Sequence, residues 1–279
     1  MALKILVDGL TFPEGPRWRD GRLYFSDFYS HRVLAVDPVG NIETIATVPQ
    51  QPSGLGWAPD GTLLIVSMLD RRLVRLKEGR LEAVGDMSAL ATGPCNDMVV
   101  DAKGRAYVGN FGFDRHKGEA ERTACISRVD PDGRVTKAAD DLSFPNGTVI
   151  TPDGKTLIVG ETIANRLTAF DIAPDGTLSN RRVWADLGTV FPDGICLDAE
   201  GASWVADPRG NRVVRVFEGG RVARTIPTGD RGAFACMLGG KDRKTLFVAT
   251  NSGSGPAAAL KTDGRIETIE VDVAGAGLP

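Results

Sequence analysis

The chain has 279 residues, of which 42% are hydrophobic and 25% charged, with a formal net charge of −3. That length fits two ordinary domains or one large all-β domain, and the composition is that of a globular protein with an ample core. Lysine and arginine are scattered along it, which leaves no electrostatic footprint for nucleic acid or an anionic membrane surface.

No apolar run approaches the roughly 18 residues of a membrane helix. The opening MALKILVDGLTFPEGP has neither an apolar segment of signal-peptide length nor a cleavage pattern. Cys95, Cys125, Cys196 and Cys236 lack CxxC spacing and a secretory context, so buried thiols are expected. A cytoplasmic protein is expected.

In chain order, the strand-like ALKILVDG precedes FPEG (12–15), and a hairpin unit then repeats. It is an apolar run, a tight turn, and a second run rich in Val, Ile, Leu, Tyr or Trp. The copies are PRWRDGRLYFSD (16–27), LGWAPDGTLLIVS (55–67), MVVDAKGRAYVGN (98–110), TVITPDGKTLIVGE (148–161), ICLDAEGASWVAD (195–207) and CMLGGKDRKTLFVAT (236–250). Their turns hold Gly21, Gly61, Gly104, Gly154 and Gly201, with Arg243 in the sixth place. Glycine there supplies the positive φ of a tight hairpin. A third and a fourth strand follow, as in RVLAVDPVGNIETIATV (32–48).

Four short strands per unit of about 40–50 residues is the blade of a β-propeller. The fold predicted is all-β: a single six-bladed β-propeller domain over 1–279, with four-stranded blades. ALKILVDG and the tail GRIETIEVDV (264–273) compete for the outermost strand of blade six, and their order stays open.

In a propeller the first strand of each blade lines the central channel. Aligning the blades on their turns places Glu14, Ser53, Asn96, Asn146, Asp193 and Ala235 at one mouth. Three of these positions share a frame: FPEG, FPNG (144–147) and FPDG (191–194). Two acids and two amides facing one another, with no lysine or arginine in the ring, are costly to bury unless a cation joins them. Oxygen-only donors select a hard divalent ion, Ca²⁺ first, with Mg²⁺ or Mn²⁺ as alternatives; Zn²⁺ or Fe²⁺ would lose the imidazole or thiolate they prefer.

The second strands return to the same mouth, ending at Asp27, Met68, Asn110, Glu161, Asp207 and Thr250, which can orient the ligands. FGFDRHKGEAERTA (111–124) is a long connection of the kind that forms lids or binding loops, and it carries Phe111, Phe113, Arg115 and His116. Whether it is a lid stays open. Other chemistries find little support. His31 and His116 are the only histidines, there is no Walker loop, and the GxG of NSGSGP (251–256) precedes no helix pattern.

At these residues the chain resembles the SMP-30/gluconolactonase/LRE family. EGPRW, CNDMVVDAKGR, FPNG and FPDGICLDAEGASWVAD match that family's blade-start motifs in order, over essentially the whole chain. The resemblance implies one divalent metal in the channel and lactonase activity. It makes Glu14, Asn146 and Asp193 the metal ligands, places Asn96 against metal or substrate, and gives Asp193 the further role of general base. One departure stands out: Pro94 occupies a position where several sugar lactonases place a sugar-holding arginine. With Phe28, Met68, Phe111, Phe113 and Met237, this sets a less polar small lactone beside a sugar lactone as substrate. The alternatives are a calcium-binding propeller acting as a binding or regulatory module, and a metal-dependent esterase on aryl or phosphoesters. A small-molecule lactone is the expected partner, and a monomer or small homo-oligomer the expected state.

Overall fold

The structure is a computed structural model describing residues 2–278; the His116 side chain lies outside the described residues. Six antiparallel sheets make up the chain, and after the first strand, which belongs to the last sheet, each is entered at its inner strand. Blade one shows the pattern, with Pro13–Arg19 innermost, then Arg22–Asp27, Arg32–Val36 and Ile42–Thr47. Inner strands such as Cys95–Val100 and Pro145–Ile150 are buried at every residue, whereas the outer strand Ile42–Thr47 is mostly exposed. This is why inner strands tolerate no polar residue without a purpose.

Apolar side chains of adjacent blades interlock. Val33 of blade one packs with Leu55, Ile65 and Val74 of blade two, and Trp18 stacks on Phe247 of blade six at 5.3 Å. Truncating one such residue to alanine costs about 2–5 kcal/mol. The turn glycines all adopt positive φ, from +70° at Gly154 to +87° at Gly61, and Arg243 adopts +59° in the sixth hairpin.

The first strand of the chain and its last long strand meet in blade six, and their order is fixed. Lys4–Leu10 is outermost and pairs with Gly264–Glu270, the third strand. Beyond it the tail turns inward. Gly275–Ala276 pairs with Leu197 and Asp198 on the channel side of blade five, and Leu278 bridges to Ile150 of blade four. The tail thus occupies the end of the channel opposite the FPxG segments.

Cross-strand register corrects the alignment in two blades. Pro13 faces Asp27, Cys95 faces Asn110 and Pro145 faces Glu161. In blade two Pro52 faces Ser67, so Ser67 rather than Met68 ends the second strand there. In blade six Ala233 faces Thr250, which gives the ring position to Phe234 and not Ala235. Blade six spends one more residue between ring and turn than blades two to five, so counting back from the turn misplaces it.

Candidate functional site at the channel mouth

The FPxG frame has a mechanical basis. The residue after each ring position must let the next blade's inner strand approach. A Cβ on Gly147 would lie 2.5 Å from the Asp193 carbonyl oxygen, and one on Gly194 would lie 2.6 Å from the Ala235 Cβ. Such closeness brings side chains from distant blades to one centre. Glu14, Asn96, Asn146 and Asp193 line a single cavity of about 300 Å³. Ser53 sits beside them, its hydroxyl 3.5 Å from Asn96 Oδ1.

The electrostatics of this ring are unbalanced. Burial, and then the neighbouring Asp193 charge, push the Glu14 carboxyl well above the usual range; the Gly15 amide, 3.1 Å from its Oε2, works against this. Burial likewise drives Asp193 upward, opposed by the Asn146 amide and raised further by Asp97. The Asn96 Nδ2 is buried without a hydrogen-bond partner. Among the described residues no three His, Cys, Asp or Glu side chains converge, so a cation here would need amide as well as carboxylate oxygens. The two carboxylates and the amide oxygens of Asn96 and Asn146 make a donor set that fits a hard divalent cation, while the unpartnered Asn96 nitrogen can only donate a hydrogen bond.

The second circle is different. Asp27 Oδ1 accepts from the Thr11 and Phe12 amides at 2.9 and 2.7 Å. Glu161 accepts from the Ser143 amide at 2.8 Å and from Arg166 at 2.8 Å. Asp207 accepts from the Phe191 amide at 3.2 Å and from Arg212 at 2.8 Å. Each acid therefore pins the segment that leads into Glu14, Asn146 or Asp193. Asn110 holds the long connection instead, accepting from the Gly112 amide and donating to the Cys125 carbonyl, both at 2.9 Å.

The pair Arg17–Asp97 also belongs to the site, although aligning the blades on their turns does not single it out. Arg17 is 3% exposed and donates to Asp97 at 2.6 Å, to the Leu55 carbonyl at 3.0 Å and to the Met98 carbonyl at 2.6 Å. It thereby ties the inner strands of blades one, two and three beside the ring. A signal existed, because Asp97 stands where Gly15, Gly54, Gly147 and Gly194 stand in other blades.

Of the expected substrate contacts, Phe28, Met68 and Phe111 line the same cavity as Asn96, and Phe113 lines an adjoining one of about 660 Å³. Met237 does not take part; it is 2% exposed within the core shared by blades five, six and one. Its Cys236 neighbour and the other three cysteines are free and buried. Unforeseen contributors are Phe12, Tyr29, Phe144 and Phe234, together with Ser254 and Gly255 of the NSGSGP segment, which forms part of the wall. Arg115 borders both cavities. Among the described residues no helix is long and apolar enough to cross a membrane.

Fold and site together define a six-bladed propeller with an oxygen-rich pocket at one mouth. The sequence profile of the SMP-30/Gluconolactonase/LRE-like region matches residues 12–252, and the chain belongs to that family. It is 27% identical over 281 residues to the pentonolactonase XacC of Haloferax volcanii, covering 95% of this chain and 92% of that one. It is also 27% identical over 253 residues to regucalcin of Danio rerio, covering 85% and 82%. The solved gluconolactonase of Xanthomonas campestris superposes with a TM-score of 0.77 at 26% identity, covering 99% and 89%.

Proposed function

We propose that this protein is a lactonase, hydrolysing a cyclic ester at the Glu14–Asn96–Asn146–Asp193 ring. The observation that carries this reading is the convergence of two carboxylates and two amides on one cavity, with neither acid in an ion pair with a basic side chain among the described residues. Glu14, Asn146 and Asp193 would hold one divalent cation, Ca²⁺ by preference, with Asn96 turned to cation or substrate. When bound, the cation supplies Lewis acidity toward the ester carbonyl.

Asp193 takes a proton from the attacking water as its oxygen bonds to the carbonyl carbon. The ring C–O bond then breaks, the leaving alkoxide takes back the proton held by Asp193, and a hydroxy acid results. The Asn96 amide nitrogen, unpartnered in the protein, is available to the oxygen on which negative charge develops. A carboxylate beside a cation is a weak base, so placement of the water supplies much of the rate. Four free, buried thiols suit a reducing compartment, in keeping with a cytoplasmic enzyme.

The test is to strip the protein with chelator and follow acid release from a lactone panel, before and after adding Ca²⁺, Mg²⁺, Mn²⁺, Zn²⁺ or Fe²⁺. Turnover should vanish and return with metal. Thermal stabilisation by Ca²⁺ with no turnover of any lactone would instead make the chain a cation-binding propeller.

A further inference from the structure

The mouth is divided, and its two halves differ in chemistry. Both cavities share Asn146, Asp193, Phe144 and Phe234, which makes this the junction where a reacting ring would sit. The larger cavity has a polar wall that includes Thr162, Asn211, Asp230 and Ser252. The smaller one, above Glu14 and Asn96, is walled chiefly by Phe12, Phe28, Met68, Pro94 and Phe111, with Gln51, Asp114 and Lys117 elsewhere on its lining.

The aromatic side chains form two braced faces. Phe12 lies 5.5 Å from Phe28 and 4.7 Å from Phe234, ring centre to ring centre. On the other side Phe111 stacks on Phe144 at 4.5 Å with planes 8° apart, and Phe113 meets Phe144 edge-on at 6.1 Å. Phe12, Phe28, Met68 and Phe234 are each less than 9% exposed, so these walls are held in place by packing.

We infer that the lactone taken by this site carries an aryl or short alkyl substituent, which fills the smaller cavity while the ester group lies at Asn146 and Asp193. The inference rests on the lactonase reading and names its substrate class. A polyhydroxylated ring laid against the apolar wall would strip water from hydroxyls that Phe28, Met68, Pro94 and Phe111 cannot pair. An apolar substituent gains from the same burial. The polar edge of the ring, and the carboxylate and hydroxyl released on opening, face the larger polar cavity, with Arg115 at the boundary.

The test compares γ-phenyl-γ-butyrolactone, γ-butyrolactone and D-glucono-δ-lactone with the Ca²⁺-loaded protein. The phenyl lactone is expected to exceed both others at least tenfold in kcat/KM. Phe28→Ser, or Phe111→Ser on the opposite wall should the first fail to fold, brings the phenyl-to-unsubstituted ratio near one. Calorimetry with 4-phenylbutanoate and gluconate gives a readout free of turnover, and the phenyl acid should bind at least tenfold more tightly. Glucono-δ-lactone equal to or better than the phenyl lactone, with gluconate the tighter acid, overturns the inference and leaves the lactonase reading intact. No lactone opened, but 4-phenylbutanoate bound tightly and lost in Phe28→Ser, supports the aromatic cavity and sinks the lactonase reading.

Discussion

Two concentric circles of acids lie at the channel mouth, and their circumstances are opposite. Asp27, Glu161 and Asp207 of the outer circle are completely buried, yet each is satisfied by backbone amides and an arginine. Glu14 and Asp193 of the inner circle are also enclosed, but among the described residues neither is in an ion pair with a basic side chain, and the Asp193 charge raises Glu14 further. Burial alone does not mark a functional acid; the absence of a compensating partner does. The satisfied acids hold the loops on which the unsatisfied ones are displayed.

Substitution should separate the circles. The largest effect is expected for Asp193→Ala or Glu14→Ala: loss of lactone opening by about 10³-fold or more, with an unchanged far-UV spectrum and, in chelator, a melting temperature no lower than wild type. A marked loss of stability in chelator would place these acids with the outer circle. Asp207→Ala should do the reverse, costing about 3–5 kcal/mol in urea unfolding because Arg212 and the Phe191 amide lose their partner.

Arg17→Met comes next, at about 3 kcal/mol, because it strands Asp97 among buried groups. Adding Asp97→Asn should recover part of that loss, and calorimetric Ca²⁺ titration should show weaker binding in the single variant than in the double. The smallest effect is a pH dependence. Burial raises Glu161, but hydrogen bonds from Arg166, Thr168 and Ser143 outweigh it and hold the carboxyl below its ordinary value. A depressed folded pKa gives stability that is present above the unfolded value, roughly 4.3, and lost as pH falls through the folded one. The melting-temperature gap between wild type and Glu161→Gln should therefore be full at pH 7 and shrink below about pH 4.

Much of this was legible in the chain. The six hairpins announced themselves because a tight turn demands a residue tolerant of positive φ, and the demand recurs at Gly21, Gly61, Gly104, Gly154 and Gly201. The placement of Glu14, Asn146 and Asp193 around one cavity was legible through FPxG, since proline opens the strand and glycine admits the next blade. Counting back from the turn misplaces blade six by one residue because its hairpin is longer, which hides Phe234. The aromatic walls come from separate blades and loops, and no periodicity along the chain links Phe12 to Phe28 or Phe111 to Phe144. The short tail pairs through backbone groups, which leave no side-chain pattern to read.

That tail has a kinetic consequence. By laying Gly275–Ala276 and Leu278 against the free inner edges of blades five and four, the chain obstructs the rear of its own bore. Reactant and product must then use one doorway in turn. A hydroxy acid that lingers would bar the next arrival, so inhibition by accumulated product should be competitive with the lactone.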